Sequence, residues 1–158
     1  MEIKTSNLTV MKKVIIGMAA ILLMSVQTVL ADDVTVNATI KKSFDKEFPG
    51  AESVRWQKSG ELYLASFFYK GQRLTSFFEE SGDLYSVTRY VSFSALPINV
   101  IKNISSRYSD GTIDDTVMEV AKPGGTSYLV TIKSNTSTYI VEADAAGTIY
   151  VVKKQKQS

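Results

Sequence analysis

The chain has 158 residues, 18 of them Lys or Arg and 16 Asp or Glu, for a formal charge of +2, with no Cys and no His. Without those two residue types, Ser–His and Cys–His nucleophiles, disulfides and imidazole or thiolate metal sites are all excluded. So near a balance of charge also leaves no basic footprint of the kind that nucleic acids require.

Residues 1–31 read as a targeting segment. Lys12 and Lys13 precede an apolar run from Val14 to Val26, and Val29-Leu30-Ala31 places small residues where a signal peptidase cuts. The run is shorter than the roughly 20 residues that a bilayer requires. Cleavage after Ala31 is expected, with initiation at Met11 as the alternative to Met1, and a periplasmic or secreted product follows. Its loss removes three Lys and one Glu and leaves residues 32–158 formally neutral. A single domain of that length can stand on its own core without a disulfide or a metal.

The first helix is expected to start at Asn37, a plausible N-cap, and to stop before Pro49-Gly50. Ile40, Phe44 and Phe48 line one stripe of it at i, i+4 and i+8. Four strands follow near 52–58, 61–69, 72–80 and 83–93, separated by Ser59-Gly60, Lys70-Gly71 and Ser81-Gly82. A second helix is expected over 96–108, with Ser94 as its cap, Pro97 in its first turn and Val100, Ile104 and Tyr108 as its stripe. Four more strands are expected near 113–121, 127–134, 137–144 and 148–154. Tyr63 answers to Tyr128, Gly82 to Gly147 and Tyr85 to Tyr150 at a near-constant offset. The expectation is therefore an α+β fold of two tandem repeats, 37–93 and 94–154. Each is a helix plus a four-stranded antiparallel meander, with both helices on one face of the sheet.

Two-residue loops would pair Trp56 with Tyr63, Phe67 with Leu74 and Phe78 with Tyr85. One face then carries Val54, Trp56, Tyr63, Ala65, Phe67, Leu74, Phe78, Tyr85 and Val87, a core surface for the first helix. In the second half Tyr128, Val130, Ile132, Tyr139, Val141, Ala143, Tyr150 and Val152 align in the same way. Met118 and Val120 join them only if Lys122–Thr126 forms an odd-length loop. The opposite face receives Arg55, Leu62, Leu64, Phe68, Arg73, Phe77, Leu84 and Tyr90, extended by Leu129, Ile140, Ile149 and Val151. With the helices elsewhere, an apolar face rimmed by charge marks an interaction surface. Arg55, Leu64, Phe68, Arg73, Phe77 and Tyr90 are its candidate partner-binding residues, since aromatics and Arg dominate interface energetics. Trp56, opposite Tyr63, reads as core rather than as an anchor.

The run Phe48-Pro49-Gly50-Ala51 with Val54 and Trp56, then Tyr63-x-Ala65-x-Phe67, Gly71, Phe78-Glu79-Glu80-Ser81-Gly82 and Leu96-Pro97 resembles the beta-lactamase-inhibitor-like, PepSY-like family. The second half departs from that pattern. Tyr108-Ser109-Asp110-Gly111 lacks the Pro of the aromatic-Pro-Gly turn, and Ala143-Asp144-Ala145-Ala146-Gly147 replaces the usual Phe-Asp-x-x-Gly. The resemblance spans residues 32–158 and implies small exported bacterial proteins built of tandem helix-plus-sheet repeats. Its motifs are structural, and fold does not transfer function.

Chemistry is sparse. Glu79-Glu80 and Asp114-Asp115 are adjacent pairs whose side chains diverge on a strand, so neither can act as a convergent carboxylate pair. Glu79-Glu80-Ser81-Gly82-Asp83 lacks the ligand spacing of a calcium loop and reads as a hairpin turn. No cofactor is implied. The expected function is an exported, non-catalytic binding module that uses the open sheet face for an unidentified protein or cell-envelope ligand, an exported hydrolase that it inhibits among them. The alternative is an envelope protein that self-associates through that face as a homodimer.

Overall fold

The computed structural model describes residues 34–157, and the expected leader, residues 1–31, lies outside the described residues. Asn37 opens helix α1 (Ala38–Glu47): its Oδ1 accepts from the Ile40 amide at 2.8 Å, the bond an N-cap supplies to an orphan donor. Its Nδ2 donates to the Glu80 carbonyl at 3.1 Å, so one side chain both starts the helix and ties it to a turn of the sheet. The helix closes as the Phe48 amide donates to the Phe44 carbonyl. Strands β1 (Glu52–Ser59), β2 (Leu62–Tyr69), β3 (Gln72–Phe78) and β4 (Leu84–Ser92) follow. A 3₁₀ turn at Phe93–Ala95 leads into helix α2 (Ile98–Arg107), then β5 (Thr112–Ile113), β6 (Thr116–Lys122), β7 (Gly125–Lys133), β8 (Ser137–Asp144) and β9 (Ile149–Lys156). The fold is α+β. All strands form one antiparallel sheet in the order β1-β2-β3-β4-β6-β7-β8-β9, with β5 beside β7.

Both helices lie on one face, each over its own core. Ile40 and Phe44 of α1 meet Phe67 and Phe78. Phe44 makes edge-on contacts with Phe67 at 4.9 Å and Trp56 at 5.2 Å between ring centroids. Val100 and Ile104 of α2 meet Val117, Val130, Ile132 and Val141. The halves join through β4 and β6, paired from Val87↔Ala121 to Ser92↔Thr116. On that seam the Arg89 Nε donates to Glu119 at 2.7 Å and its Nη1 to Gln72 at 2.9 Å. Helix α2 departs from expectation at its start. Residues 93–95 form their own turn, in which the Ser92 hydroxyl accepts from the Ser94 amide, and Pro97 takes the cap position with no side-chain bond.

Register explains which residues reach each face. Lys70-Gly71 gives Phe67↔Leu74 as expected. The first hairpin turns at Gly60-Glu61, so Trp56 opposes Ala65 instead of Tyr63, a slip of two residues that leaves every side chain on its expected face. Two bulges do change faces. One between Phe77 and Phe78 pairs Phe78 with Leu84 and sends Leu84 to the α1 core and Tyr85 to the opposite face. The other, between Ile140 and Val141, pairs Ala143 with Ile149, which joins the α2 core, and leaves Tyr150 57% exposed opposite Glu142. An inserted residue reverses the alternation beyond it, which the hydrophobic pattern by itself does not reveal. Pro123-Gly124 forms a two-residue loop with Lys122↔Gly125 where an odd-length loop was expected. Met118 and Val120 accordingly face away from the helices, Val152 lies with them, and Val117 fills the core.

The turns after β3 and β8 share one geometry. The Gly82 amide donates to the Glu79 carbonyl and the Gly147 amide to the Asp144 carbonyl, at φ of +90° and +89°. A Cβ on Gly82 would meet Thr39 at 2.9 Å and one on Gly147 would meet Asn103 at 2.7 Å. Glycine is needed at both places, by backbone angle and by the helix lying against the turn.

Candidate binding face of the sheet

The helices leave the other face of the sheet without a covering element among the described residues. Cross-strand pairing sets its side chains in rows. Phe68 opposes Arg73 and Leu64 opposes Phe77, while Tyr90, Met118, Leu129 and Glu142 follow one another across β4, β6, β7 and β8. All six expected contact residues lie on this face, but they divide by burial. Arg55 and Arg73 are exposed, as are Phe68 at 46% and Tyr90 at 66%, whereas Phe77 is 3% and Leu64 8% exposed. In register the Leu64–Phe77 pair stands between Gln57 and Ser86, and same-face neighbours close over it although no helix does. These two side chains support the surface; Phe68, Tyr90 and the two Arg present it. Arg73 stacks on neither ring. The cations placed over rings among the described residues are Lys58 on Tyr63, Lys70 on Tyr69, Arg107 on Tyr108 and Lys154 on Tyr139.

A groove of about 250 Å³ opens on this face. Met118, Leu129 and Ile140 make its apolar floor, and Thr116, Thr131 and Thr138 add hydroxyls. Tyr90 forms one rim, Lys153 and Gln155 the other. Of these only Tyr90 was an expected contact residue. Leu129 and Ile140 lie on the face where the sequence places them; Met118 joins them because Pro123-Gly124 is a two-residue turn that pairs it with Leu129, and that dipeptide is the signal for it. Beside the groove, Val120 and Leu129 pack with Tyr85, Met118, Ile140 and Val152 into a small cluster. Burial there pushes the Tyr85 phenol above its ordinary value, and the carboxylates of Glu79 and Glu142 add to the shift. A polar strip crosses the first half, with Ser66 Oγ and Thr75 Oγ1 3.1 Å apart and Thr88 Oγ1 donating to the Thr75 carbonyl. Among the described residues no three Asp or Glu side chains gather as a metal would require. The face offers shape, apolar contact and hydrogen-bonding groups.

No protein-family model matches the chain, and no match was found among curated proteins. Solved structures do match. A BLIP-like protein from Bacteroides fragilis superposes with a TM-score of 0.66 at 19% identity, over 78% of this chain and 87% of that one. A DUF2874 family protein from Bacteroides ovatus gives 0.66 at 20% identity, over 77% and 88%. A Bacteroides eggerthii protein described as "putative periplasmic" gives 0.65 at 16% identity, over 77% and 89%. The chain has the BLIP-like fold. At such identities the likeness speaks for the fold alone.

Proposed function

We propose that the protein is an exported, non-catalytic binding module that holds a protein partner on the helix-free face of its sheet, with an exported hydrolase as the partner class its inhibitor-like fold suggests. One observation carries the reading: a face bearing exposed aromatics, exposed Arg and a groove is left open by both helices. The leader-like segment before Asp32 and the periplasmic description of one structural neighbour support export. Among the described residues no helix is long and apolar enough to cross a membrane. The lack of His and Cys supports binding over catalysis. The matching turns at Gly82 and Gly147, each packed under its own helix, support reading the halves as one unit used twice.

Self-association is the second reading, and the edges of the sheet weigh against its commonest route. Edge strand β1 carries a bulge with Ser53 at φ +54°, and edge strand β9 carries a bulge with Lys153, Lys154 and Lys156. Bulges and lysines are what discourage strand-to-strand pairing, so a homodimer would have to use the open face. Tyr90 on that face and Ile98 on α2 are equally exposed, at 66% each, and give a matched pair of probes. A photo-crosslinking residue at position 90 should capture a partner in the source cell's envelope, and one at position 98 should not. Equal capture from both positions would refute the reading, and capture of a second copy from position 90 would establish the homodimer.

A further inference from the structure

We infer that the groove beside Lys153 reads an acidic side chain, Asp or Glu, set next to an apolar one on a segment of the protein partner. The inference rests on the binding role proposed above and adds the chemistry of what is bound.

The lining divides by function. Met118, Leu129 and Ile140 form a floor that only an apolar group can fill without loss, and Met tolerates several shapes there. Lys153 is the only charged residue of the lining. Lys133, opposite Thr138 in the β7–β8 ladder, puts a second cation on the same face beside the groove. Neither has a carboxylate partner among the described residues, where the ion pair is Arg89–Glu119 on the helix side. Glu142, opposite the floor residue Leu129 and one row from the Ile140–Lys153 pair, is the acidic residue of the neighbouring row, so Lys153 and Lys133 stand against one carboxylate on this part of the face. The groove thus presents a net positive rim over an apolar floor. Hydroxyls of Thr116, Thr131 and Thr138 stand within the same space to donate to a carboxylate or to the amides that carry it.

Size and charge choose among occupants. About 250 Å³ takes one or two side chains and not a folded element. A polyanion would need an array of cations along its path, and two lysines beside an apolar floor do not supply one. A loop or extended segment with an apolar–acidic pair fits both halves of the lining. Lys as a point charge on a flexible stem suits a single carboxylate at a rim.

The test uses the folded protein, isotopically labelled, and blocked peptides with both termini capped that carry Leu-Glu, Leu-Gln or Leu-Lys at the centre. NMR titration should show the Leu-Glu peptide shifting the amides of Met118, Thr131, Ile140 and Lys153. Its affinity should exceed that of Leu-Gln by about fivefold at low salt, with Leu-Lys weaker still. Lys153→Gln, at a half-buried position of the rim, should abolish the preference for Leu-Glu over Leu-Gln. Equal binding of Leu-Glu and Leu-Gln in the groove would overturn the acidic preference and leave the binding face standing. Absence of shifts on this face with every peptide at millimolar concentration would overturn the inference too, while the crosslinking from position 90 judges the binding role separately. Shifts on this face that depend on protein concentration without peptide would assign it to a second copy and refute the acidic occupant.

Discussion

Phe77 and Tyr90 share a sheet face and differ in fate. Phe77 keeps 3% of its surface and Tyr90 keeps 66%, so truncation should separate a support from a contact. Phe77→Ala is expected to destabilise by about 3–5 kcal/mol, the range for removing a buried aromatic ring. Tyr90→Ala should cost less than about 0.5 kcal/mol, because a solvent-facing ring away from caps and packed sites has little to lose. Urea midpoints of the two variants check this. Similar midpoints would mean that Tyr90 is covered in solution or that Phe77 is not. Trp56 is half-buried and packs against Phe44 and Phe78 at the edge of the α1 core.

At the scale of elements, the turn between β8 and β9 carries a charge that the fold uses. The Thr148 amide donates to the Asp144 carboxylate at 2.9 Å. That backbone bond, with the Thr148 hydroxyl and the Ala146 and Gly147 amides, holds the carboxyl below its ordinary range against an opposing effect of burial. A depressed folded-state value contributes stability above the unfolded Asp value, and that contribution is lost as pH falls through the depressed one. Asp144→Asn should therefore lower the thermal midpoint at neutral pH. The gap to the parent should narrow as the pH drops below about 4. A gap independent of pH would show that the turn is held by its backbone bonds alone. The same turn seats Gly147 under α2, where Asn103 donates to its carbonyl at 2.9 Å, so turn and helix constrain each other.

As a whole, the molecule has two helix cores but one sheet, and the β4–β6 ladder of six residue pairs makes the halves share backbone hydrogen bonds. A continuous ladder argues for cooperative unfolding. Phe44→Ala, which opens the first core only, should reduce hydrogen-exchange protection of Val130 and Val141 in the second as well as of Phe67 in the first. Protection that persists in β7 and β8 while β2 exchanges would show two independently folding halves.

Much of this architecture was legible in the sequence. Helix positions followed from the stripes Ile40-Phe44-Phe48 and Val100-Ile104-Tyr108, and Lys70-Gly71 set a hairpin register that holds residue for residue. Period and turn chemistry are local properties, so residues near in sequence suffice to state them. Tertiary structure decided the rest. Bulges exchanged Leu84 with Tyr85 and Ile149 with Tyr150 between faces, the β4–β6 ladder set Met118 beside Tyr90, and the Pro123-Gly124 turn set it beside Leu129. All six candidate residues lie on the helix-free face, yet which of them stays exposed was settled by neighbours on other strands. Burial depends on what packs alongside from distant parts of the chain. Leu64 and Phe77 disappear beneath such neighbours, whereas Phe68 and Tyr90 remain exposed.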